Sequence, residues 1–233
     1  MTSTESAGLS VDGVVRPQDR PDSLSAWVYN AIRRAIIDGT LPAASRVTEA
    51  ALAKEMNVSK TPVREALLRL REIGLIESEG PRAGRIITPS LEQLRDTYDI
   101  RCALEPVSAR LAGGRADQET LALAAKQAQL TVDAANRHDV AAYREADEAF
   151  HSLVGQASGN QKLARMIDDV NALISALRMR ALPGIDASPL CASQHVAIVA
   201  ALVKGDSVQA EKLMSEHVNH VASEVLRAVA DRT

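Results

Sequence analysis

Between residues 91 and 233 no run shows the two-residue alternation of a strand. Apolar side chains recur there at three- and four-residue spacing. That pattern predicts helices over 91–113, 116–137, 140–158, 160–181, 189–204 and 206–230. Gly113-Gly114, the run 158–160, the run 182–189 and Lys204-Gly205-Asp206 break the pattern where a chain turns. Six helices joined by short connections can hide their apolar stripes only against one another, so an all-helical bundle follows. The side chains available agree with this. With one Phe, one Trp and three Tyr, the cores must be built from Ala, Leu, Val and Ile, a mixture that favours helices.

The first part of the chain reads differently. Leu24, Trp27, Val28, Ala31, Ile32, Ala35 and Ile36 mark a helix over 24–38, stopped by Gly39. A short second helix, "TEAALAKEM", has Thr48 as its cap. After the turn "NVS" a third helix runs from Lys60 to Ile73 with Pro62 in its first turn, and Gly74 ends it. Two β-like runs, Leu75–Glu79 and Arg85–Thr88, then flank a tip of Gly80, Pro81, Arg82 and Gly84. Three helices and a basic-tipped hairpin make a winged helix-turn-helix. The expected fold is therefore mostly α: a disordered tail over 1–22, a winged helix-turn-helix domain over 23–90 and an all-helical domain of about six helices over 91–230.

Charge separates the same two parts. Residues 23–90 carry ten basic and seven acidic side chains, and residues 91–233 carry fifteen and nineteen. No run of about 18 apolar residues predicts a membrane span, and the N-terminus lacks the basic start and apolar core of a signal peptide. Two cysteines, Cys102 and Cys191, are too few for a disulfide framework. A cytoplasmic protein is expected.

The stretch "VSKTPVREALLRL", Val58 to Leu70, loads a helix start with Ser59, Lys60, Thr61 and Arg64 and then an apolar face of Ala66, Leu67 and Leu70. A recognition helix needs that layout: its N-terminal residues meet the bases in the major groove and its far face packs on the domain. Ser59 and Thr61 can reach phosphates, Lys60 and Arg64 phosphates or guanine O6/N7, and Arg82 and Arg85 the minor groove or backbone. The whole segment, "GTLPAASRVTEAALAKEMNVSKTPVREALLRLREIGLIESEGPRAGRIITP", resembles the DNA-binding domain of GntR-type bacterial regulators. The resemblance implies DNA contacts from Arg46, Ser59, Lys60, Thr61, Arg64, Gly80, Arg82 and Arg85. Two positions depart from the usual pattern: Pro42-Ala43 replaces Pro-Gly, and Lys60 replaces an arginine that could fork onto guanine.

Helical phase separates the five histidines. His151, His195 and His217 fall on inward faces, His220 on a polar face and His138 in a polar loop. Asp147 stands one turn before His151. Inward imidazoles can be hydrogen-bonded core residues, but a divalent metal would satisfy all three and the carboxylate together. "YDIRCALEPVSARLA", "DEAFHSLVGQASGN", "QHVAIVAAL" and "SEHV" resemble the FCD ligand-binding domain of the FadR subgroup of GntR regulators, and six helices suggest its shorter, VanR-like branch. That resemblance implies a metal on Asp147, His151, His195 and His217. Zn²⁺ or Ni²⁺ is favoured, and Mn²⁺ and Fe²⁺ are compatible. It also implies that Arg101 faces the cavity and binds an effector carboxylate. Taken alone, Arg101 could instead pair with Glu105 as a surface bridge. Asn171 and Arg178, two turns apart, are candidate pocket residues or a solvated flank. The function expected is a repressor, homodimeric on a near-palindromic DNA operator and released by a small organic acid. A metal-dependent enzyme and an architectural DNA binder with a structural metal are the competing readings. No inward Glu or other general base is expected near the four ligands, which disfavours the enzyme.

Overall fold

The computed structural model describes residues 23–182 and 188–231. The expected tail over 1–22 and most of the predicted 182–189 connection lie outside the described residues. The chain divides into two compact units, the first ending at Pro89 and the second beginning at Ser90.

The first unit contains α1 (Leu24–Ile37), β1 (Arg46–Thr48), α2 (Glu49–Glu55), α3 (Lys60–Glu72), β2 (Ile76–Ser78) and β3 (Ala83–Ile86). Its core is Val28, Ile32, Ile36, Leu52, Val63, Leu67, Leu70, Leu75 and Ile86, all buried. Asn57 takes a left-handed backbone in the α2–α3 turn (φ 52°), a conformation that Asn tolerates better than most residues. At the end of α3 the N–H of Leu75 returns to the carbonyl of Leu70 around Gly74 (φ 81°).

Sequence periodicity missed β1, because three residues are too few to show alternation. It pairs antiparallel with β3, giving a three-stranded sheet in the order β1-β3-β2 rather than a lone hairpin. The register sets Arg46 opposite Arg85. Like charges in that position repel, and Glu79 offsets this by pairing with both: its carboxylate accepts from Nε of Arg85 at 2.6 Å and lies 3.4 Å from Nε of Arg46. Gly84 sits in the middle strand, where a Cβ would collide with Ile76 and the carbonyl of Glu77.

The second unit holds α4 (Leu91–Arg115), α5 (Gln118–Asn136), α6 (Val140–Ala157), α7 (Gln161–Ala181), α8 (Pro189–Val203) and α9 (Ser207–Ala230). Helix α4 packs on α6, α7 and α9, and α5 lies against α6 and α8. Small side chains fill much of the core: Ala109, Ala112, Ala124, Ala128, Ala157, Ala201 and Ala210 surround Phe150, Ile198, Leu202 and Met214.

Gly113 and Gly114 do not break the first of these helices, as sequence predicted, since α4 continues to Arg115. Their role is spatial. A Cβ on Gly113 would lie 2.7 Å from Oγ and 2.8 Å from Cα of Ser207, so the bare backbone admits the start of α9.

Candidate metal centre and nucleic-acid interface

The four predicted ligands converge. Nε2 of His195 and Nε2 of His217 are 3.2 Å apart, and Nε2 of His217 and Nε2 of His151 are 3.3 Å apart. Oδ1 of Asp147 lies 3.5 Å from Nε2 of His195 and 3.8 Å from Nε2 of His151. All four ligand atoms fall within 4.8 Å of one another. Four donors about 2.05 Å from one ion in tetrahedral array are about 3.3–3.4 Å apart, close to most of these spacings.

The far nitrogens define the tautomers. Thr131 on α5 donates its hydroxyl proton to the carbonyl of Ala128 at 2.7 Å, so its oxygen must accept from Nδ1–H of His195 at 3.1 Å. Nδ1 of His217 faces Oε1 of Gln194 at 3.0 Å. Nδ1 of His151 lies 2.6 Å from Oε2 of Glu105. A proton on each Nδ1 leaves three Nε2 lone pairs pointing at one another inside the bundle. Lone pairs at that distance repel unless a cation lies between them, so the donor set fits a metal. Phe150 stacks on His195 with ring centroids 4.3 Å apart and meets His151 edge-on at 5.1 Å, fixing both rings. Burial drives the pKa of His195 down to about 3 and that of His217 well below its ordinary value, keeping both imidazoles neutral as ligands must be. Burial opposes ionisation of Asp147, yet His151, His195, Arg101 and Arg178 hold its carboxyl below the usual range.

Glu105 corrects the expectation that no Glu points inward near the ligands. It is fully buried on α4, one turn after Arg101 and facing His151. Burial would raise its pKa, but Arg101, His151 and the hydrogen bond from Asn171 outweigh that and keep it ionised. Its i,i+4 spacing from Arg101 was visible, and suggested only a surface bridge. The bridge exists and is buried: Nε of Arg101 donates to Oε1 of Glu105 at 2.8 Å, and Arg101 is 3% exposed. Asn171 on α7 is buried, and its Nδ2 donates to the same oxygen at 3.0 Å. Arg178, half-buried on α7, adds positive charge near Asp147. His138 is exposed in the α5–α6 turn, and His220 is half-buried. Every helix of the second unit thus supplies a polar group to the cluster or its supports.

In the first unit Ser59, Lys60, Thr61 and Arg64 are all exposed along the start of α3, while Val63, Ala66, Leu67 and Leu70 are buried beneath. Eight described helices are N-capped by a side chain bonding the amide three residues on, as Thr48 bonds Ala51 and Ser90 bonds Gln93. Helix α3 is the exception. The residue three after Ser59 is Pro62, which has no N–H, so the serine makes no side-chain cap bond. Arg64 forks onto Glu49 of α2: Nε and Nη2 each donate to a different carboxylate oxygen at 3.0 Å. That carboxylate is a second group missed in the sequence. On the wing, Gly80 has φ 106° and Arg82 is exposed. Arg85 is held by Glu79 and by the carbonyl of Ala44 at 2.7 Å, and Arg46 is 62% exposed. Arg71 of α3 fixes the hairpin by donating to the carbonyl of Ala83 at 2.6 Å.

A winged helix-turn-helix with a cationic, uncapped recognition helix, followed by a helical unit enclosing a ligand cluster, defines a DNA-binding regulator with an effector domain. Residues 24–86 match the family described as bacterial regulatory proteins, gntR family, and residues 96–220 match the FCD domain. The chain belongs to the GntR family of transcription regulators, in the group that carries an FCD domain. It is 26% identical to the HTH-type transcriptional repressor RspR of Escherichia coli, over 85% of this chain and 87% of that protein. It is 31% identical to the "Probable D-xylose utilization operon transcriptional repressor" of Paenarthrobacter nicotinovorans, over 84% and 86%. The solved structure of E. coli McbR/YncC shares the fold at a TM-score of 0.75 and 22% identity, covering 88% of this chain and 98% of that one. The family and these relatives are regulators of transcription, so control of genes rather than turnover is the activity of this chain. No helix among the described residues is long and apolar enough to cross a membrane.

Proposed function

We propose that this regulator is a cytoplasmic homodimeric repressor of a near-palindromic operator, released when a small organic acid binds at a metal in the second unit. The observation that carries the reading is the convergence of three Nε2 atoms and one carboxylate, with Nδ1 of His195 and of His217 hydrogen-bonded and Nδ1 of His151 beside the Glu105 carboxylate. Asp147, His151, His195 and His217 would hold the ion. Three nitrogens and one oxygen favour Zn²⁺ or Ni²⁺, with Mn²⁺ and Fe²⁺ compatible. A bound ion supplies Lewis-acid positions for a carboxylate. Arg101 and Arg178 favour the same anion by their charge, and Asn171 lies beside them. Because Glu105 occupies Nε of Arg101, only the remaining edge of that guanidinium is offered to an effector.

On DNA, Ser59, Lys60, Thr61 and Arg64 would enter the major groove, with Gly80, Arg82, Arg85 and Arg46 along the wing. One such helix reads few bases, so two copies related by a two-fold axis would read half-sites about one helical turn apart. RspR, named a repressor, supports the direction of control. The acid must favour a dimer geometry that binds operator poorly, and a coupling of about 1–3 kcal/mol is enough.

Elemental analysis of untagged protein, purified without chelator, tests the site first. One transition metal per chain, lost in His195→Ala, is the expected result. Carboxylic acids are then screened for release of selected operator by wild type but not by His195→Ala. Protein that holds no metal and takes up neither Zn²⁺ nor Ni²⁺ sinks the metal reading. Metal without any acid-dependent release makes the ion structural.

A further inference from the structure

We propose that Glu49 is a positioning residue that sets how Arg64 reads a base. This rests on the reading that α3 enters the major groove. Glu49 is the first residue of α2 and is 3% exposed. Its backbone is fixed on both sides. Thr48 caps α2 through the amide of Ala51, and the N–H of Glu49 donates to the carbonyl of Arg82 at 3.1 Å. The side chain passes under the recognition helix and takes the Nε and Nη2 edge of Arg64 in two parallel bonds. One buried carboxylate therefore ties the recognition helix to the backbone of the wing.

Two parallel bonds fix the plane of a guanidinium, which one bond does not. The opposite edge, Nη1 with the second proton of Nη2, is left open, and the Arg64 side chain is 51% exposed. That free edge has the donor spacing that guanine O6 and N7 accept. Lys60, next to the helix start, has no fork and gives a point charge. Arg64 is thus the group in the first turns of α3 able to give a two-point contact, and Glu49 aims it. The carboxylate also cancels the charge of Arg64, so this arginine adds little to sequence-independent attraction to phosphates. A merely structural ion pair would change stability and non-specific attraction but leave discrimination between bases alone.

The test uses full-length protein and duplexes that the wild type enriches from a random library. Affinities are compared for the enriched duplex, its single-base variants and unselected duplex, each across a salt series. In Glu49→Gln the amide faces Nη2 with a donor and the fork is lost. Discrimination at one base pair per half-site should fall roughly tenfold. Unselected duplex should bind more tightly, with the salt slope steeper by up to about 0.9 per half-site. Arg64→Ala should lose the same discrimination, and the double variant no more than either. Loss in Arg64→Ala with discrimination kept in Glu49→Gln overturns the role of Glu49. Discrimination kept in Arg64→Ala overturns the base contact itself, and the proposal with it. If Glu49→Gln does not fold, nitrogen NMR of the free wild type decides. Slow rotation of the Arg64 guanidinium is the expected result, and free rotation refutes the proposal.

Discussion

Gly113 and Gly114 are neighbours in one helix, and the same substitution should have opposite effects on them. Alanine in a helix interior is favoured over glycine by about 0.8–1 kcal/mol. At Gly114 the nearest atom to a new Cβ is Oγ of Ser207 at 3.9 Å, ordinary contact. Gly114→Ala should therefore gain up to about 0.5–1 kcal/mol, the lower end because α4 ends one residue later. At Gly113 the Cβ would meet Oγ, Cα and N of Ser207 at 2.7, 2.8 and 3.0 Å. Two of those atoms are backbone, so no rotamer change relieves them, and the first turn of α9 must move away by roughly 0.7 Å or more. Overpacking of that kind costs about 1–3 kcal/mol, more than the propensity gain. Because backbone atoms must move, the cost falls in the upper part of that range, about 2–3 kcal/mol, so Gly113→Ala should lose about 1–2 kcal/mol net, leaving the two variants about 1.5–3 kcal/mol apart. Urea unfolding of full-length protein followed by circular dichroism, with the two units fitted separately, measures this. If Gly113→Ala matches wild type or exceeds it, α9 does not approach α4 as described.

Glu105→Gln should weaken metal binding by about 10–100-fold, because His151 loses the carboxylate that holds its Nδ1 proton; competition against a fluorescent chelator reads the change. The same variant leaves Arg101 buried without its counter-ion, so the second unit should also melt lower. Lys60→Ala should weaken binding to all duplexes alike and reduce the salt slope by about one per half-site; a selective loss at one base would refute a phosphate role. Acid should act on the first unit through Glu49. The hydrogen bond from Arg64 lowers its pKa against the effect of burial, from an ordinary value of 4.5. The stabilisation is therefore present above about pH 4.5 and is lost as pH falls through the lower folded value. Glu49→Gln should flatten that limb of the stability profile, and an unchanged limb would show that other carboxylates govern it.

Helical phase identified the inward histidines: on α6 and α9 a single apolar stripe carries them, and on α8, apolar on more than one side, Cys191, Ile198, Val199 and Leu202 share the face of His195. Asp147 could be added because a carboxylate one turn before an inward histidine shares its face. Glu105 stands in the same relation to Arg101, but a Glu four residues after an Arg reads as a solvent-exposed pair. Its burial follows from α6 and α7 closing over α4, and one strand of sequence carries no sign of that packing. Glu49 was hidden for the same reason, since its partner lies fifteen residues away on another helix. The double glycine misled because a glycine needed for close approach looks the same in sequence as one needed for a turn. Only the position of Ser207 tells them apart.

The missing cap at Ser59 has a consequence for how the protein meets its operator. Eight described helices complete their own N-termini, and α3 stops one bond short because Pro62 stands where the amide should be. The free protein gives up about 1 kcal/mol of helix stability by that omission. In return the hydroxyl of Ser59 is not committed to the chain's own fold, and it stands beside the amides of Lys60 and Thr61 at the open end of the helix. A phosphate oxygen is chemically equivalent to the absent cap: an anionic acceptor at the positive end of a helix. Under the proposed docking the duplex would act as the ninth cap, and the first turn of α3 would reach its full order only on DNA. Amide exchange at Lys60 and Thr61 should slow on operator far more than exchange in the middle of the same helix.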